Sequence, residues 1–289
     1  MARIIDGNKI AQDIRNEVRQ SAIELKEQKG IVPGLAVILV GDDPASKIYV
    51  GKKAQDCAEV GFLSREYKLP AETSEEKLLS LIDDLNKDKL IHGILVQLPV
   101  PKHIRTDKII ESIDPRKDVD GFHPVNIGKM VIGLSGYLPA TPYGIVELIK
   151  RYSIETSGKN CVVIGRSNIV GRPVSILLSQ KGMDATVTVI HSRSKYIKEI
   201  VRDADIIIAA IGSPAFVKED MVKEGAVIFD VGTTRVISHE TRSGFKLVGD
   251  VDFDKVAPKS SYITPVPGGV GPMTRVSLLR NTLIAAKKI

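Results

Sequence analysis

Several groups of polar residues in this sequence have types and spacings that could do chemistry. The string SKIYVGKK sets Tyr49 and Lys53 four residues apart, on one face of a helix if the segment is helical. A tyrosine ring can hold a planar group, and a neighbouring amine whose pKa falls on partial burial can move protons near neutral pH. The same spacing also occurs on ordinary solvated helices. Gln97 closes the apolar string HGILVQLPVP, where a buried amide needs partners and can orient a lysine or a substrate carbonyl. In DPRKDVDGF, Asp114, Asp118 and Asp120 lie in a loop that carries Pro115 and Gly121. A carboxylate there that faced a cavity could take two N–H donors from an aminopyrimidinone-like ring, whereas Asp118 could equally close an ordinary Asx turn.

A second kind of chemistry is suggested by GRSNIVGRP, which follows the apolar string CVVI. Gly165 permits close approach of a phosphate, and a helix beginning near Gly171 would offer free N–H groups and a positive dipole end. The spacing departs from GxGxxG, so the loop gains its meaning from the alternating strands and helices around it. An NAD site usually places a carboxylate at the end of the next strand, but here that end reads Ile190-His191-Ser192-Arg193. Ser192 and Arg166 suit a 2′-phosphate instead, with Arg193 either helping or simply solvated, so NADP is the expected cofactor. Two further strand ends, AIGSP and DVGTT, place Gly212 and Thr233 where they could line the nicotinamide side or form plain turns.

The elements that must position these groups follow from patterning. At 289 residues, with 43% apolar and 26% charged side chains, two globular domains are expected. Strands are predicted at 35–40, 62–69 and 92–98, with helices at 7–29, 44–60 and 74–89, the last capped at Ser74. After a helix from about Gly144 to Ile154 and a break at 157–159, a second series runs strand, helix, strand, helix, strand, short helix (218–223), strand. That is a doubly wound parallel pattern. A last helix at 272–288 carries Val276, Leu279 and Leu283 and is expected to cover the first domain.

Composition also excludes classes of function. No apolar run approaches the roughly 20 residues of a membrane span, and the N-terminus lacks a signal-peptide core, so a cytoplasmic protein is expected. Cys57 and Cys161 stand apart from any CxxC or Cys/His cluster and read as buried free thiols, with no metal site. The net charge of +6 is spread along the chain among 35 acidic residues, which argues against nucleic acid and suits a small polyanionic substrate.

Taken together, YVGKK, GILVQLPVP, DPRKDVDGF, ATPYG, GRSNIVGRP, DVG and TPVPGGVGPMT resemble, in order and over nearly the whole chain, the bifunctional methylenetetrahydrofolate dehydrogenase/cyclohydrolase family. The resemblance implies an α/β protein of two α/β domains, the second a Rossmann-like doubly wound parallel sheet, with a folate/NADP cleft between them. Residues 1–140, with the helix at 272–289 packing back, would form the folate-binding catalytic domain, and 141–271 the NADP-binding domain. By the same resemblance Tyr49 stacks along the folate, Lys53 is the acid/base group, Gln97 supports it and Asp120 grips the pterin. Val96 and Leu98, beside Gln97, and Pro267, Gly268, Gly269 and Val270 complete the folate contacts. Gly165, Arg166, Ser167 and Ser192, with Gly212 and Thr233, hold NADP. A homodimer acting on tetrahydrofolate derivatives is implied. Ala140 stands where the family often has cysteine, and Arg275-Val276-Ser277 departs from its usual apolar stretch.

Two competing enzymes fit less well. Short-chain dehydrogenases share Tyr-x-x-x-Lys, but in them the dinucleotide loop comes first, whereas Tyr49 precedes Gly165. A shikimate-type dehydrogenase would share the two-domain outline without the set Tyr49, Lys53, Gln97 and Asp120. A folate-binding module without turnover is disfavoured by the intact Lys53.

Overall fold

Backbone pairing sorts the strands into two parallel sheets and one hairpin in the computed structural model, which describes residues 2–238, 241 and 244–288. Met1 and Ile289, the outer ends of the ranges expected for the first domain, lie outside those residues. In chain order the first elements are β1 (Arg3–Ile4), α1 (Gly7–Lys29), β2 (Gly34–Val40), α2 (Pro44–Glu59), β3 (Leu63–Leu69), α3 (Glu75–Lys87) and β4 (Gly93–Val96). Then come α4 (Thr106–Ser112), α5 (Pro124–Val131), α6 (Ala140–Arg151), β5 (Asn160–Ile164), α7 (Gly171–Ser179), β6 (Thr186–Ile190), α8 (Ile197–Arg202) and β7 (Ile206–Ala209). The chain closes with β8 (Ala226–Asp230), β9 (Thr234–Ile237), β10 (Phe245–Val248), α9 (Phe253–Val256), β11 (Ser260–Ile263) and α10 (Val270–Lys287).

One body comprises residues 12–140 and 275–289. Its sheet has the order β3-β2-β4, all parallel. Strand β2, GLAVILV, is buried along its whole length, as a strand covered on both faces must be. Leu78, Ile82 and Leu85 recur at helical spacing on α3 and pack with Ala36, Ile38, Ile94 and Ile109 in one core. Ser74 Oγ accepts the Lys77 N–H at 3.2 Å and caps α3. Helix α2 starts immediately beyond β2, with Pro44 in its first turn and Asp43 accepting the Ser46 N–H at 2.7 Å. It therefore begins at the carboxyl end of β2 and carries Tyr49 and Lys53 in its first turns.

From Arg275 onward α10 belongs to this same body. The Arg275 guanidinium is paired with the carboxylate of Asp56, which is buried, and Val276 and Ser277 are buried beside it. The unusual Arg275-Val276-Ser277 string thus has a packing partner. Asn281 Nδ2 donates to the carbonyls of Val119 and Leu138 at 2.8 and 3.0 Å, tying the DVDGF loop and the segment before α6 to α10.

The other body comprises residues 1–11 and 141–274, so the first residues of the chain group with the second sheet. The reason is the two-residue strand β1, too short to read from sequence, which pairs with β11 through Arg3 with Tyr262 and Ile4 with Ile263. Ile5 N–H donating to Ile263 O at 2.8 Å and Asp6 N–H donating to the Tyr152 hydroxyl at 2.7 Å extend the attachment. The sheet order is β1-β11-β8-β7-β5-β6, all parallel. Because β6 lies on one side of β5 and β7 on the other, the strand order reverses at β5, which opens a crevice beyond the carboxyl ends of β5 and β7. The β9/β10 hairpin was not legible: its strands, TRVI and FKLV, are mixed in polarity and mostly exposed. No helix among the described residues is long and apolar enough to cross a membrane.

Candidate active site

Lys53, Gln97 and Asp120 come together at the carboxyl end of the first sheet. Gln97 follows β4 directly, and its N–H still donates to Ile38 O at 2.8 Å, so the residue is held in register although the strand stops at Val96, short of the expected Leu98. Lys53 Nζ donates to Gln97 Oε1 at 2.9 Å, and Gln97 Nε2 donates to Leu98 O at 2.9 Å. The amide is therefore spent at both ends on orienting the lysine.

Asp120 reaches the same place by a different route. Ile94 N–H donates to Lys117 O at 2.8 Å and Ile94 bridges Asp118 in parallel, so the loop climbs alongside β4. Gly93 makes this approach possible, since a Cβ there would stand 2.8 Å from the Val119 methyls. Gly121 then turns the chain at φ +74°, and a Cβ there would meet Leu138 C at 2.6 Å. Asp118 accepts from Phe122 N, His123 N and Asn126 Nδ2 at 3.2, 2.8 and 2.8 Å, so it holds the loop. Its neighbour Asp120, half-buried, receives no hydrogen bond among the described residues.

The electrostatics follow from burial. Desolvation lowers the Lys53 ammonium below the usual lysine value, opposed by the charges of Asp120 and Cys57. Burial pushes the Asp120 carboxyl up to about 6, against the pull of Lys53 and with a further push from Asp118. The result is an amine whose proton is held less tightly than that of a solvated lysine, beside a carboxyl raised by the same burial, which is a pairing suited to acid–base work. Tyr49 is 42% exposed, its ring open to a planar partner. Leu98 is partly buried, while Val96 packs into the core, so a ligand contact at Val96 would use its backbone. The Cys57 thiol is buried and pushed up to about 12 by desolvation and the Asp56 charge, so it is no nucleophile at neutral pH.

Gly165 to Gly171 forms a loop folded onto the ends of β5 and β7 in the second body. Gly165 has φ +118°, and a Cβ there would lie 2.3 Å from Ala210 O, while one on Gly171 would lie 2.2 Å from Gly165 O. Only glycine lets this backbone sit so low, and the cradle above it fits a dinucleotide pyrophosphate. Ser167 Oγ accepts from Val170 N and Gly171 N at 3.2 and 3.3 Å, which leaves its O–H free to donate to a phosphate oxygen. Arg166 and Ser192 are exposed, and Gly212 and Thr233 are exposed at the ends of β7 and β8. Ser194 Oγ, not Ser192, accepts the His191 N–H at 3.0 Å and steadies the β6 exit.

Pro267 to Val270 also lie in this second body. Pro267 is exposed and Gly268 partly so, whereas Gly269 and Val270 are buried. A Cβ on Gly269 would meet Pro265 O at 2.6 Å, and Asn8 N–H donates to Gly268 O at 3.1 Å, so the segment is packed tightly under the start of α1. Missed from sequence was Asp250, wholly buried and bonded to the β7 exit. The GDV string that holds it, echoing DVG at Asp230, was the available signal. No group of three or more His, Cys, Asp or Glu side chains among the described residues could hold a metal ion.

Comparison with known proteins finds a family match for each half of the chain. Residues 5–120 match the catalytic domain of the tetrahydrofolate dehydrogenase/cyclohydrolase family, and residues 139–289 match the family's NAD(P)-binding domain. The chain is 57% identical over 287 residues to the bifunctional protein FolD of Bacteroides thetaiotaomicron, covering 99% of this chain and 98% of that protein. Among solved structures, the bifunctional FolD methylenetetrahydrofolate dehydrogenase/cyclohydrolase of Campylobacter jejuni is 50% identical with a TM-score of 0.95, covering 100% and 99% of the two chains. The Trypanosoma brucei enzyme, solved with NADP cofactor and an inhibitor, is 40% identical with a TM-score of 0.95, covering 99% and 98%.

Proposed function

Since the chain belongs to the tetrahydrofolate dehydrogenase/cyclohydrolase family, we propose that it oxidises 5,10-methylenetetrahydrofolate with NADP+ and hydrolyses the resulting 5,10-methenyltetrahydrofolate to 10-formyltetrahydrofolate. The observation that carries this reading is the Lys53 amine, lowered by burial and aimed by Gln97, beside the unbonded Asp120 carboxylate. Asp120 takes the paired N–H donors of the pterin, and Tyr49 lies along the planar part of the folate. In the first reaction a ring nitrogen lone pair expels hydride from the methylene carbon, and the substrate becomes a delocalised cation. NADP+, when bound, accepts that hydride. Gly165, Ser167, Gly212 and Thr233 would hold it, with Arg166 and Ser192 on the 2′-phosphate.

In the second reaction water adds to the methenyl carbon. Lys53 takes the first proton that the water loses and delivers it to the ring nitrogen as its bond to that carbon breaks, while the added hydroxyl gives up its remaining proton to solvent and becomes the formyl carbonyl on the other nitrogen. Gln97 positions the amine throughout. The site works in the cytoplasm in this reading, in keeping with two buried free thiols. The protein acts as a homodimer, and a monomer mass by static light scattering would remove that part of the reading.

The deciding measurement follows reduced cofactor and methenyl absorbance separately, with 5,10-methylenetetrahydrofolate and each nicotinamide cofactor. Formation of NADPH with transient methenyl product is expected. Absence of both, in folded protein, defeats the assignment. Arg166→Ala should raise the KM for NADP+ by about tenfold or more, the scale of a charge-assisted hydrogen bond, while changing that for NAD+ little. Equal losses with both cofactors would show that Arg166 does not read the 2′-phosphate.

A further inference from the structure

Two buried carboxylates in the second body have no part in the chemistry above. Asp250 is wholly buried, yet its Oδ2 accepts both the Ile211 and the Gly212 N–H, at 2.8 and 3.0 Å, where the chain leaves β7. Its Oδ1 is buried without a hydrogen-bond partner among the described residues. Asp230, the last residue of β8, takes the Gly232 and Asp250 N–H groups on Oδ1 at 2.9 and 2.8 Å and the Val251 N–H on Oδ2 at 3.0 Å. Glycine is required on both sides: a Cβ at Gly232 would stand 2.3 Å from Asp250 Oδ1, and one at Gly249 would stand 1.8 Å from Asp230 Oδ2.

Burying a carboxylate is costly unless donors surround it, and an apolar side chain would fill the space at less cost. What the two acids achieve is specific. Gly212, at φ +69°, and the chain around Thr233 leave adjacent parallel strands at the crevice where a dinucleotide would lie, and their backbone N–H groups have no strand partner there. Asp250 fixes the first exit, and Asp230 fixes both the second exit and the backbone of Asp250. With no exposed atom, Asp250 cannot touch a ligand itself.

We propose that Asp250 is a positioning residue for the dinucleotide, its carboxylate setting the Ile211–Gly212 exit of β7 to receive the nicotinamide half while Asp230 anchors Asp250. The proposal deepens the NADP reading above and rests on it. Both N–H groups go to one oxygen, so an asparagine whose amide oxygen takes that place keeps both bonds, whereas alanine loses both.

The test is NADPH fluorescence titration, free of turnover, on the parent, Asp250→Ala and Asp250→Asn. Cyclohydrolase assays without cofactor are run on the same preparations. Asp250→Ala is expected to weaken NADPH by about tenfold or more, with Asp250→Asn restoring most of the affinity. Cyclohydrolase kcat and folate KM should stay within about twofold of the parent, because that reaction uses Lys53 and needs no dinucleotide. Should Asp250→Ala not fold, Gly232→Ala presses a methyl against the same carboxylate and should weaken NADPH in the same direction. Parental NADPH affinity in folded Asp250→Ala, or in Gly232→Ala where the former is lost, overturns the positioning role. So does a parallel loss of cyclohydrolase activity, which would mark Asp250 as fold support alone. A parent that binds no NADPH removes the dinucleotide reading and this proposal together, whereas a parent that binds it with unaffected variants removes only the latter.

Discussion

In a Lys53→Met variant, hydrolysis of methenyltetrahydrofolate is expected to fall by about 10² to 10⁴, the usual worth of a positioned proton-transfer group, while part of the dehydrogenase activity survives. The asymmetry comes from where protons move. Hydride departure is driven by a lone pair already in the substrate and leaves a delocalised cation, so that step needs no acid or base from the protein. Hydrolysis needs both, since water must lose a proton and a ring nitrogen must gain one. Lys53 is suited to this because burial lowers its ammonium and the 2.9 Å bond to Gln97 fixes its direction. Methionine keeps most of the apolar stem and the helix propensity while deleting the amine. Methenyl product should therefore accumulate when the variant is given methylenetetrahydrofolate and NADP+. Hydrolysis at the parent rate would show that Lys53 is not the proton-transfer group.

Most of the strands and helices around Lys53 and Gly165 were legible because they are short apolar runs or helical stripes bounded by Gly, Pro or a capping residue. Ser74 is one example, confirmed in its bond to the Lys77 N–H. Elements whose stability comes from distant partners were not. β1 has two residues and exists only through β11, and the β9/β10 hairpin carries no apolar alternation to read. Helices α4 and α5 lay in a stretch dominated by Pro and Gly signals, so the partner that Asn126 of α5 offers to Asp118 was invisible.

The same limit applied to the candidate site. Tyr49 and Lys53 could be paired by spacing alone, but nothing local distinguishes Asp114, Asp118 and Asp120, and the choice of Asp120 came from the family resemblance. The physical distinction is tertiary: Asp114 is bound to Arg116 and Asp118 is saturated by three donors, while Asp120 is half-buried beside Lys53 with no donor among the described residues. Asp250 was missed for a similar reason, since its meaning depends on N–H groups 38 and 39 residues away.

That contrast predicts opposite behaviour for two acids in one loop. Asp120→Ala should weaken folate binding by a few kcal/mol, the scale of a lost charged hydrogen-bond pair, with the fold intact. Asp118→Ala should instead lower stability, because three N–H donors lose their acceptor. The pH dependence has a definite sign. Asp120 is pushed up to about 6, above its unfolded value, so the ionised form is disfavoured in the folded protein and the carboxyl is neutral below that pH. Its effect on stability is therefore unfavourable above about 6 and is relieved as pH falls toward the unfolded value near 4, so replacing it should not lower the melting temperature at pH 7. Its effect on ligand runs the other way: only the carboxylate accepts both pterin donors, so folate affinity in the parent should rise as pH increases through about 6. In Asp120→Asn that rise should disappear. Calorimetric titration of folate across this range, alongside melting curves, separates the two roles, and unchanged affinity in folded Asp120→Ala at pH 7 would take Asp120 out of the binding site.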